Sequence, residues 1–217
     1  LKVVFNQGET GLSAARNLGI AQSSGDIIAF VDDDTLLFPD WAENMVKAYR
    51  DDYVIGVTGP ALPLWEDESS ASWFPEELYW IVSCTGWAGW DRPREVRNAW
   101  GMNMSFRREA FEMCGPFSNE FGFHKGAMAE DNEFCLRLRS KTDRPIIYSP
   151  DIRVWHRVHR YRLSLPFIRE RAYWIGHSRY MLNKLWPEAR ANGAKPLSQE
   201  QALLRRILGR LLPSILI

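Results

Sequence analysis

Cysteine is scarce: Cys84, Cys114 and Cys135 are the only three in 217 residues. An odd number with no metal-ligand spacing excludes a disulfide framework and points to free thiols in a reducing compartment. Long hydrophobic runs are missing as well. No stretch of about 18 apolar residues reads as a membrane span, and no signal-peptide pattern is visible. Net charge is absent, because 27 Lys and Arg balance 27 Asp and Glu. No repeat or low-complexity tract occurs. What remains is an ordinary globular composition, 46% hydrophobic and 25% charged, in a chain long enough for one sizeable core. It opens at Leu1 directly into strand-like LKVVF, which reads as a fragment lacking upstream sequence.

The neutral total hides an asymmetry. From Arg153 onward there are 13 Lys or Arg against 3 Asp or Glu, and the first 152 residues hold 14 against 24. An acidic body, 1–152, with a basic extension, 153–217, implies that the extension meets something anionic.

Along the chain, LKVVF reads as a strand. GLSAARNLGIAQSSGD reads as a helix, with Ser13 offering an N-cap and Gly25 a stop. DIIAFV is a fully apolar strand of the parallel-sheet kind. A helix from Phe38-Pro39 to Tyr49 and a strand over Tyr53–Gly59 continue the alternation, which is an α/β pattern. Pro63 to Trp100 breaks the rhythm with six tryptophans, read mostly as packing, with one or two facing an acceptor. After it come NMSFRREAFEMCG, a strand end and short helix, and the helix DNEFCLRLRS. An extended PIIYSPDIRVWH and a long helix from SLPF to LNKLW follow. Ser198 to Leu212 reads as a last helix.

The apolar strand DIIAFV ends on Asp32, Asp33 and Asp34. Two carboxylates about 4 Å apart repel by roughly 4 kcal/mol at an effective dielectric near 20. A hard divalent cation would offset that, and ligands bind beyond strand carboxyl ends in open α/β sheets. The competing reading is a solvated turn before the Pro39 helix. Arg16, beside Ala14 and Ala15, offers a fork for phosphate, or is a surface arginine. Asp131 in AEDNEF opens a helix, where the dipole keeps a carboxylate ionised as a base, or is an N-cap aspartate. His156 in VWHRVH is a further metal ligand, or a buried hydrogen-bonded histidine.

Three blocks in order, GLSAARNLGIAQSSGDIIAFVDDDT, WGMNMSFRREAFEMCGPF and AEDNEFCLRL, resemble the family 2 glycosyltransferases, inverting enzymes with the GT-A fold. The resemblance covers roughly Leu1 to Arg139, with VWH a looser match. It implies an α/β, mostly parallel Rossmann-like sheet flanked by helices, with a helical C-terminal extension. It implies that Asp32 and Asp34 are the family's DxD, holding a divalent metal, Mn²⁺ or Mg²⁺, and the nucleotide-sugar. Arg16 then lies near the nucleotide, and Gly101 and Asn103 line the donor-sugar and acceptor region. Asp131 is the base and His156 a late metal ligand. The partners implied are a nucleotide-sugar donor and a glycan or lipid-linked acceptor, with no nucleic acid. The place implied is cytoplasmic, peripheral on the inner face of the cell membrane. The family's opening strand, with its base-recognising acidic residue, is missing from the sequence.

Two other readings compete. A haloacid dehalogenase-type phosphatase also starts on a strand ending DxD, but needs a residue between the second Asp and Thr, and Thr35 follows Asp34 directly. A non-catalytic sugar-binding module would use the tryptophans for stacking and leaves DDD and AED unexplained. Leu203, Leu204, Ile207, Leu208, Leu211 and Leu212 recur at helical spacing. With Arg205, Arg206 and Arg210 on other faces, this predicts contact with an anionic membrane surface, or packing on the body of the protein.

Overall fold

The computed structural model describes residues 2–85, 89–121, 129–186 and 205. The chain runs through α1 (Leu12–Gln22), β1 (Ile27–Val31), β2 (Thr35–Leu37), α2 (Trp41–Ala48), β3 (Gly56–Thr58) and β4 (Ala61–Trp65). It continues through α3 (Glu68–Ala71), a 3-10 turn over Glu76–Val82, β5 (Arg94–Val96), β6 (Asn103–Arg107) and α4 (Arg108–Cys114). Then come α5 (Glu130–Arg139), β7 (Ile146–Tyr148), β8 (Val154–Val158), a 3-10 turn over Arg160–Leu163 and α6 (Leu165–Leu185). The alternation of strands and helices expected from sequence is present. The helix expected over Ser198–Leu212, and its apolar stripe, lie outside the described residues, apart from helical Arg205.

Five strands form one sheet in the order β1-β6-β3-β7-β5, and β2-β8-β4 form a second. β1, β3 and β7 share a direction. β6 runs against both β1 and β3, and β5 runs against β7, so only β3–β7 is a parallel pair in this sheet. The expected mostly parallel pairing is therefore corrected to a mixed one. A strand buried on both faces shows the same apolar run whichever way its neighbour points. β3 and β6 are buried almost throughout.

Two local readings also change. Val3 and Phe5 are 68% and 81% exposed, and residues 2–5 form no regular structure. Among the described residues no strand lies beside them to take their backbone hydrogen bonds, so the apolar pattern alone does not make a strand. Ser13 is no cap: α1 starts after Gly11, and Ser13 is buried within its first turn. The C-terminal end is closed by Ser23, whose hydroxyl donates to the Ile20 carbonyl at 2.8 Å.

The main core lies between the five-stranded sheet and helices α4 and α5. Phe106, Phe111, Phe117 and Phe134 form its centre, with Phe111 stacked on Phe134 at 4.8 Å. Aromatic pairs of this kind add about 0.5–1.5 kcal/mol beyond their buried area. Trp65 packs edge to face on Phe74 and Tyr79, which stack on each other, in a second cluster. Trp90, Trp100 and Tyr148 form another aromatic group. Among the described residues these tryptophans serve packing, as expected; Trp87 lies outside them.

β8 begins just past the expected division at 152/153, yet it sits between β2 and β4. The acidic body and the first strand of the basic extension thus share one sheet.

Candidate active site

β1 belongs to the five-stranded sheet and β2 to the three-stranded one. Asp32–Asp34 form the corner between them, where the Thr35 amide donates to the Asp32 carbonyl at 3.1 Å. The register of β2 on β8 pairs Thr35 with His156, and the Arg157 amide donates to the Asp34 carbonyl at 2.9 Å. β8 alternates buried and exposed residues, so Val154, His156 and Val158 point inward. These two facts bring His156 to the aspartates. One donor atom each from Asp32, Asp34 and His156 lies within 4.8 Å of the other two.

The donor set suits a hard divalent cation: two carboxylates and one imidazole. Ligands about 2.1 Å from a shared ion stand at most about 4.2 Å apart, so a shift of a few tenths of an ångström would close the cluster. His156 is 2% exposed, and its Nε2 lies 3.4 Å from Asp34 Oδ1. Burial pushes its pKa down, the Asp34 carboxylate opposes this, and the Arg162 guanidinium adds to the lowering. A neutral imidazole is the form that ligates. The residues fit a metal.

Arg16 occupies the centre of the site. It is 7% exposed, and both of its terminal nitrogens are engaged. Its Nη1 donates to Glu130 Oε1 at 2.7 Å, and its Nη2 to Asp32 Oδ1 at 3.0 Å and to the Gly101 carbonyl at 3.2 Å. The phosphate fork expected from sequence is thus committed to two carboxylates. Gly101 is needed for this approach, since a Cβ there would lie 2.9 Å from Arg16 Nη2.

Asp131 is the second residue of α5, which begins at Glu130, one residue before the start that the sequence indicated. Its Oδ2 accepts from the Gly101 amide at 3.0 Å, and its Oδ1 from the Asn132 amide at 2.7 Å. Gly101 and Arg16 therefore connect Asp131 to Asp32 through three hydrogen bonds. Glu130 beside it is buried, and burial, reinforced by the Asp131 carboxylate, pushes its pKa up to about 7 against the pull of Arg16.

Asn103 is not brought to this cluster. It is fully buried in β6, where its Nδ2 donates to the Ile152 carbonyl at 2.7 Å and its Oδ1 accepts from Trp41 Nε1 at 2.9 Å. Its amide ties β6 to α2 and to the segment that leads into β8.

A cavity of about 290 Å³ opens at Asp32, Asp34 and His156. Its other wall includes Ser83, Arg162, Phe167, Glu170, Arg171 and Trp174. Arg162 Nη2 donates to Asp34 Oδ2 at 2.9 Å. Arg171 Nη2 donates to the Ser83 hydroxyl at 3.1 Å. Ser83 is the sole non-glycine residue with positive φ, 63°, among the described residues. Burial lowers the pKa of Arg171, and the Arg162 charge lowers it further. Sequence reasoning assigned none of these residues to the site. Their signal was the density of arginine after His156, read there only as a basic extension.

The model of the family described as glycosyl transferase family 2 matches residues 1–115, just over half of the chain. The chain belongs to glycosyltransferase family 2. Among family relatives, a glucosyl-dolichyl phosphate glucuronosyltransferase of Haloferax volcanii is 32% identical over 85% of this chain and 59% of its own length. Succinoglycan biosynthesis protein ExoM of Rhizobium meliloti is 27% identical over 81% of this chain and 54% of its own length. The family member described here thus spans less than two thirds of either relative. In structure it resembles GalNAc-T7, solved with UDP, GalNAc and Mn²⁺, at a TM-score of 0.51 and 16% identity, over 93% of this chain and 41% of that one. It also resembles a mannosyltransferase of Pyrobaculum calidifontis, solved with GDP-Man and Mn²⁺, at 0.50 and 17%, over 95% and 62%. At these identities the likeness speaks to the fold, which is GT-A.

Proposed function

We propose that the chain transfers a sugar from a nucleoside diphosphate sugar to an acceptor hydroxyl, with inversion at the anomeric carbon. The observation that carries this is the meeting of two groups across Arg16 and Gly101. On one side stand Asp32, Asp34 and His156, with one donor atom each within 4.8 Å of the other two. On the other stands Asp131, held by the Gly101 amide.

Asp32, Asp34 and His156 would hold a divalent cation, Mn²⁺ or Mg²⁺, which supplies charge neutralisation for the departing nucleoside diphosphate. Such a leaving group needs no second carboxylic acid to protonate it, unlike glycoside hydrolysis. Asp131 takes the proton of the acceptor hydroxyl as it attacks in line. Its two oxygens are oriented by amides, so the base enters the reaction in a fixed direction. Arg16 acts from behind, fixing Asp32 and Gly101, and thus touches the donor site through them.

The acceptor is a glycan or a lipid-linked glycan, and the protein works at the inner, cytoplasmic face of a membrane. Support comes from the relatives, one named for a dolichyl phosphate and one for succinoglycan biosynthesis. No helix among the described residues is long and apolar enough to cross a membrane. Residues 1–152 are the catalytic body in this reading, with 153–217 as its basic extension.

The test is a screen of nucleotide-sugars for transfer or hydrolysis with Mn²⁺ and Mg²⁺, run on the protein and on Asp131→Asn. Loss of a general base costs about 10²–10⁴-fold in rate. Asp131→Asn should lose activity by that factor and still bind donor, whereas Asp34→Ala should lose the metal dependence of nucleoside diphosphate binding seen by calorimetry. Near-normal turnover in Asp131→Asn would leave that residue only a helix-terminal role.

A further inference from the structure

Asp34 faces two groups at once: His156 Nε2 on Oδ1 at 3.4 Å and Arg162 Nη2 on Oδ2 at 2.9 Å. His156 belongs to β8 and Arg162 to the turn that follows it. The turn bends back, with the Arg162 amide donating to the His159 carbonyl at 2.9 Å, and this returns the guanidinium to the carboxylate cluster. Asp34 and Arg162 are 20% and 18% exposed. Arg162 also lines the cavity alongside Arg171.

We propose that Arg162 is a displaceable counter-ion of Asp34: it holds the carboxylate while no cation is bound, and on cation binding it swings into the cavity to receive an anionic ligand. This rests on reading Asp32, Asp34 and His156 as cation ligands. A divalent ion on Asp34 would set two positive charges a few ångströms from a third. Repulsion at that range grows with the product of the charges, and the cation replaces the guanidinium as the counter-charge of Asp34, so the mostly buried carboxylate is not left unpaired. The guanidinium therefore leaves rather than shares the carboxylate. Its destination is set by the same cavity. The released fork and Arg171 then present two guanidiniums beside the cation, a combination that suits a diphosphate. Arg162 is thus a positioning residue that orders the two binding events: cation first, phosphate second. Arg171 disfavours a second positive charge beside it, since Arg162 already lowers its pKa after burial does, and an arriving anion relieves that strain.

Calorimetry with Mn²⁺ alone, then with inorganic pyrophosphate at saturating Mn²⁺, tests the exchange. Arg162→Gln keeps a donor toward Asp34 without the charge. It should bind Mn²⁺ at least about fivefold more tightly and pyrophosphate at least about fivefold more weakly, the lower end of usual coupling between two sites. Arg162→Met should move both constants the same way, and Arg162→Lys, which keeps the charge, should restore both toward wild type. A merely structural side chain would weaken both ligands together. If the uncharged variants bind Mn²⁺ as wild type does, or more weakly, Arg162 is a fixed orienting partner and the exchange is refuted. If Asp32→Ala binds Mn²⁺ as tightly as wild type, the cluster is not the cation site, and the reading beneath the exchange fails instead.

Discussion

Glu130 is a carboxyl whose proton equilibrium the fold shifts. Unfolded, its carboxyl titrates near 4.5, and in the fold burial pushes it up to about 7. Between those values the folded state keeps the proton and the unfolded state has lost it. The group's contribution to stability is therefore full below pH 4.5, declines as pH rises toward 7, and is gone above. Urea unfolding across pH 5–8 should show stability falling with pH in wild type and a shallower fall in Glu130→Gln. Equal slopes would mean that the Arg16 guanidinium, at 2.7 Å, keeps Glu130 ionised throughout. The same residue shows why AEDNEF was only half legible. An aspartate at a helix start is visible in a string of letters. The arginine 114 positions away that partners its neighbour is not.

Among the elements, β6 carries the strongest structural tie. The side chain of its first residue, Asn103, meets Trp41 of α2 and the Pro60 and Ile152 carbonyls, and its backbone carbonyl accepts from the Thr58 hydroxyl. Replacing the side chain leaves the Trp41 indole N–H and the Ile152 carbonyl buried without partners. Each such group costs about 1–3 kcal/mol. Asn103→Ala should thus lower stability by roughly 2–5 kcal/mol, read as a lower urea midpoint with an unchanged slope. An effect below about 0.5 kcal/mol, the size usual for surface substitutions, would instead return Asn103 to the ligand-facing role that the family resemblance implied. β8 makes the complementary point. Its alternation turns His156 inward, but only its pairing with β2 decides that the inward side holds Asp34.

At the scale of the molecule, charge is divided unevenly, and α6 displays part of the basic half. Arg169, Tyr173, Tyr180 and Lys184 are exposed along it, with the two tyrosines 65% and 64% accessible. Phe167, Arg171 and Trp174 of the same helix line the cavity instead. A basic and aromatic face beside a transfer site suits an anionic leaflet, at about 1 kcal/mol per basic residue near the surface. The protein should co-sediment with anionic liposomes at low salt, release as salt rises, and ignore neutral ones. Arg169→Glu with Lys184→Glu should weaken the binding by about 10-fold or more. Indifference to anionic liposomes would assign this face, and the basic extension, to the protein's own body or to a partner protein.

By itself the sequence determined the α/β alternation, the family blocks, the carboxylates at a strand end, the aspartate at a helix start and the three free thiols, now seen unpaired. All of these are local: periodicity, turn residues and charge are properties of neighbours along the chain. The tertiary structure alone decided which way β6 runs, that Arg16 serves two carboxylates, that Asn103 is a brace, and that Arg162 sits on Asp34. Each of these depends on groups far apart in sequence, Arg162 and Asp34 by 128 positions. No short-range pattern encodes such a meeting, because it is set by strand order, by register and by where burial leaves room for a charge.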